Sequence, residues 1–202
     1  MKKTSLYTII ALINFWVGIG LQSTAIAASD AVSEGIYPVG MLKPVDSELK
    51  VKIGDKAPDF TLKAVAGGTV SLNDYIGKKN VMISFIPAAW TPVCSGQWPG
   101  YNLAKEEFEQ LNAVVIGISV DNIPTLYAWT KMMGELWFPV LSDFWPHGRT
   151  AETYGVLRTD GISERAVFII DKQGIIRSIN VTDINKRPPL EQILGELEKL
   201  NK

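Results

Sequence analysis

Residues 80–94 read NVMISFIPAAWTPVC. Asn80 to Ile86 form an almost unbroken apolar run, the pattern of a central strand buried on both faces of an α/β sheet. Pro87 and Pro92 end the run and impose a loop. Cys94 therefore stands where a buried strand has stopped and a helix is about to begin, a position that aims backbone amides at the sulfur and favours its anion. The thiolate is the reactive form of a cysteine.

The segments on either side extend the same pattern. Residues 59–62 and 69–72 read as short strands around a Gly67-Gly68 turn. Downstream, YNLAKEEFEQL (101–111) predicts a helix with Leu103, Phe108 and Leu111 on one face and its charges on the other. AVVIGISV (113–120) predicts a second buried strand, 125–133 a helix, 139–142 a short strand and 150–154 a helical turn or two. RAVFIID (165–171), a turn at 171–174 and residues 175–182 predict a hairpin, and 189–200 a closing amphipathic helix. Strands alternating with helices, then a hairpin and a helix, predict an α/β sandwich with a mixed central sheet.

Composition narrows the function. With 47% hydrophobic residues and ordinary glycine and proline content, the 202-residue chain is globular rather than fibrous or disordered. Its 21 acidic and 20 basic residues nearly cancel without a long run of one sign, which argues against a nucleic-acid partner. Lys2 and Lys3 precede a stretch with no further charge before Asp30, an apolar run over 7–21 and the small triplet Ala25-Ile26-Ala27. That is the layout of a secretory signal peptide. It predicts cleavage after Ala27 and a periplasmic or secreted protein, an uncleaved membrane tether being the alternative. Residues 28–53, with Gly35, Pro38, Gly40 and Pro44, read as an extended or loosely attached lead-in, and 54–202 as the domain proper. One cysteine permits no internal disulfide, and in an oxidising compartment it is a liability unless it has work to do.

A helix terminus supplies only about 0.3–1 kcal/mol, whereas moving a thiol from near 8.5 to about 6 requires roughly 3.4 kcal/mol. A cation and hydrogen bonds must provide the rest, and spacing alone does not choose among the distant arginines. Pro87-Ala-Ala-Trp-Thr91-Pro-Val-Cys94 fits the motif P-x-x-x-T-x-x-C, and on it the chain resembles the peroxiredoxin family. KAPDFTL (56–62), SDFWPHG (142–148) and RAVFIID (165–171) support the resemblance, which runs from about Gly54 to the C-terminus. SDFWPHG and the lack of a second cysteine look most like the AhpE-type one-cysteine enzymes, with some likeness to the bacterioferritin-comigratory group. The resemblance implies a thioredoxin-like fold and a thiol-dependent peroxidase without metal or organic cofactor. It makes Cys94 the nucleophile, Thr91 a hydroxyl bonded to thiolate and peroxide, Arg165 the cation holding both, and Pro87 a shield. The amides of Val93 and Cys94 are further donors toward the peroxide. The implied partners are a hydroperoxide substrate, an external thiol or thioredoxin/glutaredoxin-like reductant and, since dimers are common in the family, a second copy of the chain.

Two positions depart from the pattern. Gln97, read either as a peroxide-binding residue of the site or as a helix-surface residue, stands where many relatives carry glutamate; the glutamine can accept a hydrogen bond but brings no charge, which loosens the hold on Arg165 and leaves it a stronger positive influence on Cys94. Pro99-Gly100 falls early in the following helix, where proline is tolerated only in the first turn. A thiol-disulfide oxidoreductase of the same fold is the rival enzyme, but it needs C-x-x-C, and position 91 is threonine. A thioredoxin-like binding module with an inert cysteine is the non-enzyme rival. His147, the single histidine, reads as a capping or packing residue. Trp90 and Trp98 line a pocket or pack in the core, Trp129, Trp137 and Trp145 belong to the core or an interface, and 105–109 is a solvated helix face.

Overall fold

Alternation along the central strands builds a two-sided core. The computed structural model describes residues 35–201. In chain order it contains β1 (Thr61–Ala64), β2 (Thr69–Ser71), β3 (Asn80–Phe85), α1 (Cys94–Leu103), α2 (Lys105–Gln110) and β4 (Ala113–Ser119). α3 (Ile123–Met133), β5 (Val140–Ser142), α4 (Arg149–Tyr154), β6 (Arg165–Ile170), β7 (Ile176–Thr182) and α5 (Leu190–Glu198) follow. The strands form one mixed sheet in the order β2-β1-β5-β4-β3-β6-β7. β3 and β4 run parallel with Ile83 opposite Ile116, while β6 lies antiparallel on the other side of β3 with Phe168 opposite Ile83.

Because successive side chains point to opposite faces, Ile83, Phe85, Ile116 and Phe168 pack on one side with Tyr154 of α4. Met82, Val115, Val167 and Ile169 pack on the other against Trp98, Phe108, Leu126 and Leu197 from the helices. Each such side chain contributes about 1.5–3 kcal/mol on burial. This holds the C-terminal end of β3 rigid immediately before the cysteine loop.

The predicted strands and the hairpin are present to within a few residues, but the helix expected over 101–111 is not. The chain forms α1 from Cys94 onward, breaks at Ala104 (φ −91°, ψ 25°), and restarts as α2. Leu103 is consequently 89% exposed instead of sharing a face with Phe108. Trp98 and Tyr101 are the residues that α1 buries. Pro99 is the sixth residue of α1, in its second turn rather than its first. It cannot offer the N–H that would bond the carbonyl of Ser95, and the helix ends four residues later.

Residues 37–53 have no helix or strand, as expected, yet they are not loose. Tyr37 N donates to Trp90 O (2.7 Å), Leu42 N to Asn185 Oδ1 (3.1 Å) and Asp46 N to Glu164 Oε1 (2.5 Å). A strap held by scattered backbone bonds needs no apolar period, so its attachment leaves no pattern in the sequence. Trp145 is 80% exposed and is not core, whereas Trp129 is buried. His147 Nε2 lies 2.6 Å from Gly161 O and ties two loops together. The signal-like segment falls outside the described residues, among which no helix is long and apolar enough to cross a membrane.

Candidate active site

Cys94 is the first residue of α1 and has no exposed surface. As an N-terminal helical position its amide has no intrahelical acceptor, and neither has that of Val93, the preceding cap. Both amides therefore sit at the positive end of the helix dipole beside the sulfur.

Arg165 opens β6, two residues after the buried Ser163, whose hydroxyl donates to the Ile86 carbonyl at 2.7 Å. That bond pins β6 against the end of β3, and the Arg165 side chain reaches back over the cysteine loop. Its Nη2 donates to Cys94 Sγ at 3.4 Å, its Nη1 to Gln97 Oε1, and its Nε to the Ile184 carbonyl at 3.1 Å. Among the described residues the ion pairs do not include Arg165. Buried and in none of these pairs, the guanidinium faces the sulfur as a candidate counter-charge.

Gln97 is buried and orders the opposite side. While its Oε1 accepts from Arg165, its Nε2 donates to Ser84 Oγ (3.2 Å) and to Tyr101 Oη (3.1 Å). Trp98 Nε1 donates to the same Ser84 oxygen at 3.3 Å. Burial pushes the Tyr101 phenol up to about 12, so this network stays protonated and neutral across the ordinary pH range. Arg165 is thus oriented by a neutral amide within a hydrogen-bonded cluster, and Gln97 belongs to the site rather than to the helix surface.

Thr91 differs from its expected role. Its hydroxyl donates to the Ala88 carbonyl at 2.9 Å and not to Cys94, which leaves the oxygen lone pairs to accept from a ligand. The loop itself is held from afar: Ala89 N donates to Asp121 Oδ2 at 2.7 Å, and Ser119 Oγ donates to the same oxygen at 2.5 Å. A groove of about 430 Å³ is lined by Pro87, Thr91, Val93 and Arg165, the last two being the chain neighbour and the hydrogen-bond partner of the buried Cys94, which is not itself in the lining. Trp98 packs beneath in the core, and neither it nor Trp90 lines this groove.

The residues expected from the motif are therefore brought together, with the Thr91 proton directed elsewhere. Ser84, Asp121, Ser163 and Glu164 were not foreseen. Each lies 10 to 70 positions from Cys94 in sequence, and a lone serine or carboxylate carries no local signal of the loop it supports.

The model of the AhpC/TSA family matches residues 53–179. A chloroplastic 2-cysteine peroxiredoxin of Chattonella marina var. antiqua is 35% identical over 161 residues, covering 75% of this chain and 82% of that protein. Alkyl hydroperoxide reductase E of Mycobacterium tuberculosis is 41% identical over 128 residues, covering 63% and 83%. The reduced 2-Cys peroxiredoxin of Plasmodium vivax superposes with a TM-score of 0.70 at 30% identity, covering 74% of this chain and 81% of that one. The architecture is thus the thioredoxin-like fold of these proteins. With a single cysteine at the start of α1, a guanidinium 3.4 Å from its sulfur and a family match over most of the described body, the chain belongs to the AhpC/TSA family.

Proposed function

We propose that the protein is a thiol-dependent peroxidase in which Cys94 reduces hydrogen peroxide and organic hydroperoxides. The observation that carries this reading is the buried Arg165–Cys94 contact at the start of a helix, with no carboxylate paired to the guanidinium among the described residues. The Cys94 thiolate attacks the nearer peroxide oxygen in line with the O–O bond. An S–O bond forms to the oxygen that carries the hydrogen, the O–O bond breaks with its electron pair on the departing oxygen, and that oxygen takes a proton from solvent to leave as water or an alcohol. Each terminal nitrogen of Arg165 keeps one hydrogen beyond its present bond, and those hydrogens, with the amides of Val93 and Cys94, are the donors for the charge that develops on the leaving oxygen. Thr91 Oγ1, its own O–H directed to the Ala88 carbonyl, accepts the hydroperoxide O–H and aligns it. Pro87 shields the sulfur from bulk water.

The product is a sulfenic acid on Cys94. No second cysteine exists in the chain to trap it, so an external thiol or a thioredoxin/glutaredoxin-like protein displaces water to form a mixed disulfide, and a further thiol releases the thiolate. With one equivalent of peroxide and no reductant, mass spectrometry should find a gain of one oxygen on Cys94 and matching reactivity to dimedone. Peroxide consumption with Cys94 unmodified would sink the reading.

The reading extends to location and assembly. Lys2, Lys3, the apolar run over 7–21 and Ala25-Ile26-Ala27 support export, with 1–27 as a signal, 28–53 as a lead-in and 54–202 as the catalytic domain. Periplasmic or secreted protein should begin at or near Ala28, and recovery of Met1-containing protein from the soluble cytosol contradicts it. Exposed Phe144 and Trp145 support a homodimer.

A further inference from the structure

The groove beside Cys94 is larger than hydrogen peroxide requires. Its volume is about 430 Å³, whereas hydrogen peroxide, counted as two waters of about 30 Å³ each, occupies roughly 60 Å³. Its lining combines Pro87, Thr91, Asn185 and Arg165 with the apolar side chains of Val39, Met41, Leu42, Ile162 and Ile184. No charged side chain but Arg165 lines it among the described residues. A single cation and a few hydrogen-bonding groups set among apolar side chains are the lining expected for a ligand with a polar head and an apolar tail.

Three of the wall residues come from the strap, which precedes the family match at 53–179. The strap is held in place by bonds with no part in the chemistry. Asn185 accepts from Leu42 N at 3.1 Å and donates to Leu42 O at 2.9 Å. Arg158 Nη1 donates to the Lys43 carbonyl at 3.1 Å and pairs with Glu164 at 2.9 Å, both side chains being essentially without exposure. Glu164 in turn accepts from Asp46 N, and its neighbour in the chain is Arg165. The anchor of the strap and the guanidinium are thereby adjacent in the chain, so the strap's part of the apolar wall is tied to Arg165 before any ligand arrives. Met41 is 86% exposed, apolar area that a tail would cover.

We propose that Val39, Met41 and Leu42 are specificity-determining residues that hold the apolar tail of an organic hydroperoxide while Arg165 and Thr91 hold its head; this rests on the peroxidase reading. Asn185 is the positioning residue for that wall. The rate of Cys94 oxidation in the full protein is to be measured with hydrogen peroxide and with tert-butyl, cumene and a linear long-chain hydroperoxide, for wild type, Met41→Ser, Leu42→Ser and, as a control at an exposed position outside the groove lining, Leu103→Ser. In wild type the rate constant should rise with tail size. The ratio of long-chain to hydrogen peroxide constants should fall at least about fivefold in Met41→Ser or Leu42→Ser, since one methylene in an apolar pocket is worth about 10-fold or more, and should stay put in Leu103→Ser. A flat series in wild type, or a ratio within twofold of wild type in both strap variants, overturns the inference while leaving the peroxidase reading intact. Met41→Ser alters an exposed side chain and keeps the fold, so the comparison does not hinge on Leu42→Ser. If wild type reacts with none of the peroxides, the peroxidase reading falls and this inference with it.

Discussion

Arg165 spends its three nitrogens on Cys94, Gln97 and the Ile184 carbonyl, and this division decides what each neighbour does. Arg165→Met should slow peroxide reaction by roughly 10²–10³-fold, the usual cost of losing a preorganised donor. Iodoacetamide labelling of Cys94 at pH 6 should slow with it, and unchanged rates in both assays would mean that another cation serves the site. Gln97 tests the electrostatics separately. In Gln97→Glu a carboxylate takes up the guanidinium charge, so labelling of Cys94 at pH 6 should fall on the order of tenfold. A faster or unaltered rate would show that the neutral amide is not what leaves Arg165 to the sulfur. In Gln97→Leu the Arg165 donor loses its acceptor, which should cost about 1–3 kcal/mol in denaturant titrations.

At the scale of elements, α1 must bring Cys94, Gln97 and Trp98 onto the sheet together, and Gly117 of β4 makes the room. A Cβ at Gly117 would sit 2.7 Å from Trp98 Cζ2, and Trp98 is fully buried with its indole N–H on Ser84. Gly117→Ala should therefore cost about 1–3 kcal/mol by overpacking, a drop of roughly 2–12 °C in Tm for a domain of this size. It should also slow peroxide reaction, because Ser84 links the indole to Gln97. A variant with wild-type Tm would show that the indole shifts freely. The strap is a second such element. The Lys43 ammonium and the Thr159 hydroxyl and amide hold the Asp46 carboxyl below its usual value of 3.8, and bonds from Asn185 do the same for Asp183. Carboxyls lowered in the fold stabilise it above the ordinary value and lose that contribution as pH falls through the lowered one. Asp143 works in the opposite sense: burial raises it, so its contribution is present at low pH and lost as pH rises through its raised value. Amides of residues 37–50, corrected for intrinsic exchange, should hence lose protection below about pH 4 while β3 and β4 keep theirs. Equal loss in strap and sheet would contradict local release.

For the whole molecule, the exposed pair Phe144 and Trp145 stands on a surface that is otherwise mixed in charge. If these rings bury against a second copy, Trp145→Ser should move the sedimentation coefficient toward the monomer without changing Tm at low concentration. A wild-type protein that is already monomeric at high concentration would remove the basis for a dimer.

The strands, the hairpin and the place of Cys94 were legible in the sequence because burial on a sheet leaves a local signature: NVMISFI and AVVIGISV are apolar throughout, and proline ends the first run next to the cysteine. The motif around Cys94 likewise lies within eight consecutive residues. The 101–111 helix was misread because period alone does not register a break at Ala104, where the chain turns to bury Trp98 and Tyr101 instead of Leu103. What only the tertiary structure decided are the contacts between distant polar groups: Gln97 on Arg165 across 68 positions, Asp121 on the cysteine loop across 32, and Asn185 on Leu42 across 143. A hydrogen bond needs a single donor and a single acceptor at about 3 Å, and neither partner alters the composition or periodicity of its own segment. Such pairs exist only once the apolar pattern has folded the sheet and brought them within reach.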